Sequence, residues 1–306
     1  MPKDERNLLV VLGPTASGKT RLGVKLAHAL SGEVISADSR QVYRGLDIGA
    51  GKDLEEYTCE NKRIPYHLID VVGLEDEFNV FDYQQRFYEV FKLLRARGVT
   101  PVMVGGTGLY LESVLKAYKM VQVPEDTKLR NELDRLSAEE LKDKLVEVKE
   151  RLHNVSDFGS RERMIRAIEI AVHTQTGKPP QAPKIRPLVL GTRWERRELR
   201  ERITKRLRER IQAGMIEEVE GLRASGVTWE RLDALGLEYR YVADFLRGKI
   251  GTTDDLLADL SIAIGRFAKR QESWFRRMER SGIEIHWVEK ADFDQALKIV
   301  KSFPWE

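Results

Sequence analysis

The chain has 306 residues, which is enough for two domains or for one domain with an insertion. Hydrophobic residues make up 42% and charged residues 33%, and the net charge is +3, a composition that excludes disordered and fibrous proteins. No uncharged run reaches the roughly 18 residues that a bilayer span needs, the N-terminus has no apolar leader, and the single cysteine cannot form an intramolecular disulfide. We therefore expect a cytoplasmic protein with no membrane span.

Short apolar runs alternate with longer amphipathic stretches along most of the chain. The runs typical of strands cover residues 7–12, 33–37, 67–72, 100–104, 186–190 and 283–288. The stretches with helical periodicity cover residues 19–31, 81–97, 108–117, 161–176, 195–225 and 253–280. This alternation predicts βαβ units and therefore an α/β fold, with a mostly parallel sheet covered by helices.

Residues 124–158 interrupt the alternation. Pro124 opens a charge-rich helical stretch that contains no strand and ends near Gly159. We interpret residues 124–158 as an inserted helical subdomain, and residues 1–123 and 159–306 as the core. Three prolines between Thr176 and Pro183 predict a loop that returns to the sheet.

The sequence Gly13-Pro-Thr-Ala-Ser-Gly-Lys-Thr20 follows the first strand, opens the first helix and matches the P-loop pattern G-x4-G-K-S/T. Its glycines let successive backbone N–H groups converge on phosphate oxygens at a helix N-terminus. Lys19 adds a positive charge, and the Thr20 hydroxyl can ligate Mg²⁺. The motif predicts a P-loop NTPase-like sheet that binds a diphosphate or a triphosphate. The candidate phosphate ligands are Gly13, Pro14, Thr15, Ala16, Ser17, Gly18, Lys19 and Thr20.

An acidic residue, Asp38, follows the second strand. The carboxyl ends of neighbouring parallel strands share one crevice, so Asp38 is predicted to face the phosphate loop. A carboxylate beside a phosphate suits a metal ligand, or a base that takes a proton from the attacking acceptor. The alternative is a turn cap, because Asp followed by Ser readily forms an Asx-turn. Further along, the loop from Asp47 to Lys52 is either a solvated turn or a contact with phosphate or nucleic acid.

A glycine-rich turn follows the fourth strand. Gly105, Gly106 and Gly108 surround Thr107 where this strand leads into a helix. This pattern indicates either close approach of a substrate or tight packing of the helix on the strand.

The helix over 253–280 carries Arg266, Arg270, Trp274 and Arg277 at positions i, i+4, i+8 and i+11. Three guanidinium groups and an aromatic ring along one stripe suit RNA phosphates and an unstacked base. The alternative is a core tryptophan with flanking arginines.

Together with the phosphate loop, four strings of this chain resemble the tRNA dimethylallyltransferase (isopentenyltransferase) family. The strings are Asp38-Ser-Arg-Gln-Val-Tyr-Arg-Gly-Leu-Asp-Ile-Gly49, Val104-Gly-Gly-Thr-Gly-Leu-Tyr-Leu111, Arg163-Met-Ile-Arg-Ala-Ile-Glu-Ile170 and Ala268-Lys-Arg-Gln-Glu-Ser-Trp-Phe-Arg276. They occur in the family order between about residue 8 and about residue 280. No Cys/His module follows them, so the resemblance is to the bacterial form.

The resemblance implies transfer of a dimethylallyl group from dimethylallyl diphosphate to N6 of the adenosine just 3′ of the anticodon of tRNA. It implies that Asp38 is the general base, that Thr15 to Thr20 hold the diphosphate with Mg²⁺ on Thr20, and that Arg206 lies close to the diphosphate. The expected catalytic residues are thus Asp38, Thr20 and Arg206. The residues expected to contact the tRNA anticodon stem-loop are Asp38, Ser39, Arg40, Gln41, Thr107, Arg130, Glu162, Arg163, Arg166, Arg266, Arg270 and Trp274. The inserted subdomain is expected to add to this surface, and the protein to act as a monomer.

Two segments depart from the family pattern. Gly49-Ala-Gly-Lys-Asp53 stands where Gly-Thr-Ala-Lys-Pro is usual, and Gly236-Leu-Glu-Tyr-Arg240 where Gly-Tyr-Lys/Arg-Glu is usual. Two other functions also fit a phosphate loop. One is a small-molecule or nucleotide kinase, which would transfer phosphate from ATP. The other is a tRNA-binding module switched by a nucleoside triphosphate, which would form no product with dimethylallyl diphosphate.

Overall fold

A six-stranded sheet forms the centre of the larger of two units in this computed structural model, which describes residues 5–123, 125–148, 160–173 and 180–306. The strands are β1 (Leu8–Leu12), β2 (Glu33–Ala37), β3 (Thr58–Cys59), β4 (Lys62–Arg63), β5 (Tyr66–His67), β6 (Pro101–Gly105), β7 (Pro187–Arg193) and β8 (His286–Glu289). The sheet has the order β5-β2-β6-β1-β7-β8 with parallel pairing throughout, and β3 and β4 form a separate antiparallel pair. The predicted α/β fold with a mostly parallel sheet is confirmed.

Helices connect the strands and continue beyond the sheet. They are α1 (Lys19–Ala29), α2 (Val80–Ala96), α3 (Gly108–Leu115), α4 (Thr127–Leu133), α5 (Ala138–Val148), α6 (Arg161–His173), α7 (Arg196–Gln212), α8 (Met215–Ala224), α9 (Trp229–Ala234), α10 (Leu237–Leu246), α11 (Thr253–Arg280) and α12 (Phe293–Lys301). None of the helices within the described ranges combines the length and the apolar character needed to cross a bilayer.

Strand β1 is fully buried because helices cover both faces of the sheet. Leu8, Val10 and Leu12 pack in one hydrophobic cluster with residues of α2, α3 and α11. Leu9 and Val11 pack in another cluster with residues of α1 and α12. The division follows from the alternation of side chains between the two faces of a strand. A third cluster joins helices α7 to α11.

The register of the strands brings several loops to one edge of the sheet. Leu12 pairs with Gly105 of β6 and with Gly191 of β7, and Ala37 of β2 also pairs with Gly105. Because the strands are parallel, the segments that follow β1, β2, β6 and β7 all begin at this carboxyl edge.

Two of the predicted elements differ most from the structure. The strand predicted over 67–72 ends at His67, because Leu68 and Asp70 adopt left-handed backbone angles with φ of 61° and 56°. The single helix predicted over 195–225 is two helices, α7 and α8, and the chain turns at Gly214 with φ of 101°.

The smaller unit, Tyr118–Ala182, is larger than the predicted insertion over 124–158. Helix α6, which the prediction assigned to the core, belongs to this unit because its Met164 and Ile168 pack with Leu133 of α4 and with Leu141 and Leu145 of α5. Pro124, the end of the predicted insertion and the first half of the predicted proline loop lie outside the described residues.

Candidate active site

The phosphate loop turns tightly between β1 and α1. Ala16 and Gly18 have positive φ angles of 61° and 81°, and the helix begins directly after Gly18. Gly13 has no room for a side chain, because a Cβ there would lie 2.0 Å from the Thr192 hydroxyl at the end of β7. The first N–H groups of α1 have no carbonyl partner within the helix, so they are available to an anion.

The buried side chain of Ser17 holds the loop to β7 and to the segment after it. Its hydroxyl accepts a hydrogen bond from the Thr192 hydroxyl at 2.7 Å, and its carbonyl accepts one from the Trp194 indole at 2.8 Å. Ser17 therefore shapes the loop through its side chain, and its predicted contact with phosphate stays a prediction.

Helix α7 presents three arginines to the phosphate loop and its surroundings. Arg202, Arg206 and Arg210 are four residues apart and share one face of the helix. Arg202 donates to the Ala16 carbonyl at 2.8 Å, and Arg206 donates to the Thr15 hydroxyl. Arg206 therefore lies beside the phosphate loop, and its expected closeness to the diphosphate stays a prediction. Helical periodicity alone did not distinguish Arg206 from the other arginines of this helix.

Positive charge accumulates in this crevice. Burial, together with the charge of Arg206, lowers the pKa of the Lys19 ammonium to about 8. Burial, together with the charge of Arg210, lowers the pKa of Arg206 to about 10. Burial and the neighbouring positive charges disfavour the charged forms of Lys19 and Arg206, so an anionic ligand would stabilise both cations here.

Two carboxyl groups, those of Glu238 and Glu56, lie within electrostatic range of these cations. Burial raises the pKa of Glu238, in the first turn of α10, against the opposing charges of Arg210 and Arg206. Burial and the charge of Asp53 raise the pKa of Glu56. Sequence reasoning singled out neither residue: Glu56 belongs to no recognisable motif, and Glu238 lies in the Gly236–Arg240 segment that departs from the family pattern.

Asp38 lies at the carboxyl end of β2, within electrostatic range of Lys19 and Glu238. Its Oδ1 accepts a hydrogen bond from the backbone N–H of Arg40 at 2.8 Å, so the Asx-turn considered as an alternative is present. Within the described ranges no hydrogen bond engages Oδ2. One oxygen thus fixes the turn, and the other is available to a substrate.

The ends of β2 and β6 are joined through Thr107. Its hydroxyl accepts a hydrogen bond from the backbone N–H of Ser39 at 3.0 Å, and its own N–H donates to the Ala37 carbonyl at 3.2 Å. Thr107, Ser39 and Asp38 therefore form one small polar surface at this edge of the sheet.

Gln41 is buried behind that surface. Its amide oxygen accepts from the Ser36 hydroxyl at 2.9 Å, and its amide nitrogen donates to the Gly51 carbonyl at 2.9 Å. The side chain thus supports the following loop, and its expected contact with a nucleotide stays a prediction. The Arg40 side chain lies against Gly236, because a Cβ on Gly236 would be 3.1 Å from the Arg40 Nε.

The loop after Asp47 is held by a carboxylate. Glu218 of α8 accepts hydrogen bonds from the backbone N–H groups of Asp47, Ile48 and Gly49 at 2.6 to 3.2 Å. The Tyr239 hydroxyl donates to the same carboxylate at 2.7 Å. Tyr239 belongs to the second segment that departs from the family pattern, so the two departing segments are in contact.

Lys52 and Gly51 have structural roles in this loop. The Lys52 ammonium is buried and donates to the Tyr43 carbonyl at 2.9 Å and to the carboxylates of Asp47 and Asp70. Neither of the two interpretations of this loop, a solvated turn or a contact with phosphate, therefore applies to the Lys52 side chain. The Arg210 guanidinium packs against Gly51, where a Cβ would lie 1.9 Å from it. The same guanidinium pairs with the Asp53 carboxylate at 3.0 Å. The unusual Gly51 and Asp53 thus accommodate and neutralise Arg210.

Gln271 of α11 is a site residue that sequence reasoning missed. Its amide oxygen accepts from the Thr15 backbone N–H at 2.8 Å, and its amide nitrogen donates to the Gly106 carbonyl at 2.8 Å. A Cβ on Gly106 would lie 2.4 Å from that nitrogen. Gln271 therefore joins the phosphate loop to the glycine-rich turn after β6, and only its position inside a family string could have drawn attention to it.

The predicted stripe on α11 is not uniformly exposed. Arg266 and Arg270 are exposed, but Trp274 is partly buried and packs so closely on Gly108 that a Cβ there would be 2.4 Å from the ring. The Arg277 guanidinium lies 3.9 Å from the centre of the same ring and pairs with Glu112. Arg277 therefore covers one face of the Trp274 ring and Gly108 lies in close contact with the ring, and the predicted contact of Trp274 with tRNA stays a prediction.

In the smaller unit, Arg130 and Arg166 are both bound to Glu169, a fully buried carboxylate on α6. Glu162 and Arg163, in the first turn of the same helix, are exposed. Of these four residues expected to contact tRNA, two are therefore held by an internal ion pair and two lie free on the surface of the unit.

The fold and the site define a P-loop-like α/β protein with a cluster of cations at the carboxyl edge of its sheet. The family model for IPP transferase matches residues 41–278. The chain is 54% identical over 296 residues to tRNA dimethylallyltransferase 1 of Syntrophus aciditrophicus, with 96% of both proteins covered. It is 55% identical over 283 residues to tRNA dimethylallyltransferase 1 of Geotalea uraniireducens, with 92% of both covered. The chain belongs to the IPP transferase family.

A solved structure supports the same assignment. The crystal structure of the full-length tRNA isopentenylpyrophosphate transferase of Bacillus halodurans matches this chain with a TM-score of 0.69 and 31% sequence identity. The match covers 97% of this chain and 95% of that one, so the two proteins share the fold over nearly their whole length.

Proposed function

We propose that this chain is a tRNA dimethylallyltransferase, which moves a dimethylallyl group from dimethylallyl diphosphate to N6 of the adenosine 3′-adjacent to the anticodon. The names of its relatives support the reaction. The single observation that carries the site assignment is the convergence of Lys19 and Arg206 on the phosphate loop, with the Asp38 carboxylate at the neighbouring strand end.

The leaving group is the diphosphate. Breaking the allylic carbon–oxygen bond places negative charge on the diphosphate and positive character on the allyl carbon. The N–H groups at the start of α1, the Lys19 ammonium and the Arg206 guanidinium would stabilise that negative charge. Because they form a preorganised set, they favour the transition state over the bound substrate.

Mg²⁺ fits the Thr20 position. The Thr20 hydroxyl stands in the first turn of α1 and is engaged by no hydrogen bond within the described ranges. No group of three or more His, Cys, Asp or Glu side chains among the described residues is arranged to hold a metal ion, and Mg²⁺ usually completes its shell with water and substrate phosphates. When bound, it would neutralise charge on the diphosphate.

The acceptor is a weak nucleophile, because the lone pair of the adenine amine is delocalised into the ring. Asp38 would accept the amine proton as the new carbon–nitrogen bond forms, using the oxygen that the Asx-turn leaves available. The adenine must leave the loop stack to reach this position. Thr107 and Ser39, beside Asp38, would contact its polar edge.

The remaining tRNA contacts would be electrostatic. Arg266 and Arg270 on α11, and Arg163 on the smaller unit, present exposed cations to RNA phosphates. Arg130 and Arg166 would act through the Glu169 ion pair, which fixes their orientation. We also expect the enzyme to be a cytoplasmic monomer, with the smaller unit contributing to the RNA-binding surface.

Mass analysis of a synthetic anticodon stem-loop RNA tests this function. We expect the RNA to gain one C5H8 unit after incubation with the protein, dimethylallyl diphosphate and Mg²⁺. A stem-loop with guanosine in place of the adenosine 3′ to the anticodon is the control and should stay unmodified. Unchanged mass of the adenosine-containing RNA, at enzyme concentrations that bind it, would contradict the proposal.

A further inference from the structure

Phe267 is an exposed aromatic ring on the inward face of α11. Its neighbours one turn away on that face, Ala263 and Gln271, are only 7% and 8% exposed, whereas Phe267 is 37% exposed. Phe267 also belongs to none of the hydrophobic clusters that the described residues form. Phe267 is therefore a solvent-accessible ring between two buried positions of the same helix face.

The exposed Phe267 ring lies on the helix that contacts the candidate active site. Gln271, one helical turn after Phe267, contacts Thr15 of the phosphate loop and Gly106 of the glycine-rich turn. Four residues along a helix correspond to about 6 Å. The Phe267 ring is therefore about one turn of helix away from the residue that touches both loops.

The charges around the ring suit RNA. The Arg270 guanidinium lies 5.7 Å from the centre of the Phe267 ring, and Arg266 and Lys269 are exposed on the same part of the helix. None of these three cations forms an ion pair within the described ranges. Unpaired cations beside an open aromatic ring are the combination that proteins use to bind unstacked bases and the phosphates between them.

We infer that Phe267 stacks on an unpaired nucleobase of the tRNA anticodon loop and that Arg270 binds the phosphate beside it. This base is a neighbour of the adenosine that enters the active site. The inference rests on the proposed function, and it adds Phe267 to the residues of α11 that are expected to contact tRNA. An apolar ring alone would also accept the dimethylallyl chain, but the surrounding unpaired cations favour the nucleic acid.

The test measures binding of an anticodon stem-loop RNA that carries 2-aminopurine in the loop next to the target adenosine. Its fluorescence reports stacking, and its titration gives Kd for the full-length protein. The variants are Phe267→Ala, Phe267→Leu, Phe267→Tyr and Arg270→Ala. Ile262→Ala is the matched control, since Ile262 is an exposed apolar residue on the same helix.

We expect Phe267→Ala to weaken binding by roughly 5- to 150-fold, the range of a base–aromatic stack, and to remove the fluorescence change. Phe267→Leu should be similarly weak, whereas Phe267→Tyr and Ile262→Ala should bind like the wild type. Because Phe267 carries no charge, its variants should keep the salt dependence of Kd, and Arg270→Ala should reduce it.

Two results would overturn the inference. One is unchanged Kd and fluorescence in Phe267→Ala and Phe267→Leu. The other is a raised KM for dimethylallyl diphosphate with unchanged RNA affinity, which would assign the ring to the allyl chain. If Phe267→Ala fails to fold, the difference in Kd between Phe267→Leu and Phe267→Tyr still tests whether an aromatic ring is needed. Failure of the wild type to prenylate the stem-loop is a separate result that contradicts the proposed function itself.

Discussion

The amide oxygen of Gln271 accepts a hydrogen bond from the backbone N–H of Thr15 at 2.8 Å, although 256 residues separate them in the chain. The amide nitrogen of the same side chain binds Gly106. One amide group therefore sets the spacing between the phosphate loop and the turn that carries Thr107. Helix α11 thus connects an exposed basic surface with the place where the diphosphate is proposed to bind.

Replacing Gln271 with Met tests this connection. Methionine has a similar volume but makes neither hydrogen bond, so we expect kcat/KM for dimethylallyl diphosphate to fall by roughly 5- to 100-fold at unchanged Kd for the stem-loop RNA. Gln295→Met is the control, because the Gln295 amide also accepts a backbone N–H, that of Glu289, but on α12. Wild-type kinetics in a folded Gln271→Met variant would show that the bridge does not position the loop.

Asp38→Asn separates two roles of one side chain. Asparagine keeps the oxygen that caps the Arg40 N–H but is not a base, so we expect kcat to fall by about 10²- to 10⁴-fold with stem-loop affinity within a few-fold of wild type. Asp292→Asn, at the N-cap of α12, is the same change at another capping aspartate and should leave kcat unaltered. Near-normal turnover of Asp38→Asn would remove Asp38 from the role of base.

Arg206→Ala tests the stabilisation of the leaving group. The guanidinium binds the Thr15 hydroxyl of the loop that is proposed to hold the diphosphate, so its loss should lower kcat/KM by about 10²- to 10³-fold. Arg208→Ala is the control, because Arg208 is an exposed residue on the same helix, and we expect its kinetics to match the wild type. Equal effects of the two substitutions would indicate a general loss of charge and no specific contact.

Glu169→Gln tests the ion pair of the smaller unit. Burial opposes ionisation of Glu169, but hydrogen bonds from Arg130, the Asp126 backbone and Arg166 outweigh it and lower the pKa of its carboxyl below 4.5. The stabilisation is therefore present above pH 4.5 and is lost as the pH falls through the folded-state pKa. We expect Glu169→Gln to reduce the free energy of unfolding by roughly 2–3 kcal/mol at pH 7.

The measurement for Glu169 is urea unfolding followed by far-UV circular dichroism at pH 7 and at decreasing pH below 4.5. The difference from wild type should shrink in the acidic range. Glu162→Gln, an exposed glutamate on the same helix, should unfold like the wild type at every pH. A difference for Glu169→Gln that does not change with pH would show that the carboxylate is not the source of the stabilisation.

The sheet and the phosphate loop were predictable because their signals are local. Short continuous apolar runs, such as Leu8–Leu12, and the spacing of Gly13, Gly18, Lys19 and Thr20 depend on neighbouring residues only. The position of Asp38 followed from the rule that parallel strands share their carboxyl edge. The break at Gly214 was hidden, because the residues on both sides of it continue the same helical pattern and one glycine is tolerated within a helix.

The rest of the site depends on contacts between distant segments. Periodicity placed Trp274 and Arg270 on one stripe, but whether Trp274 is covered is decided by Gly108 and Arg277. The roles of Gln271, Gln41 and Lys52 likewise depend on which segments meet at the carboxyl edge. These meetings are set by tertiary packing, which a single sequence does not display.

One measurement tests the central claim most directly. The claim is that the phosphate loop holds an allylic diphosphate, whose allyl group is transferred to RNA. The protein is incubated with the anticodon stem-loop, Mg²⁺, dimethylallyl diphosphate labelled in the allyl group, and ATP labelled in the γ-phosphate. The account predicts that the allyl label enters the RNA, with release of diphosphate, while the γ-phosphate stays on ATP. Transfer of the γ-phosphate to RNA, with no allyl label incorporated, would contradict it.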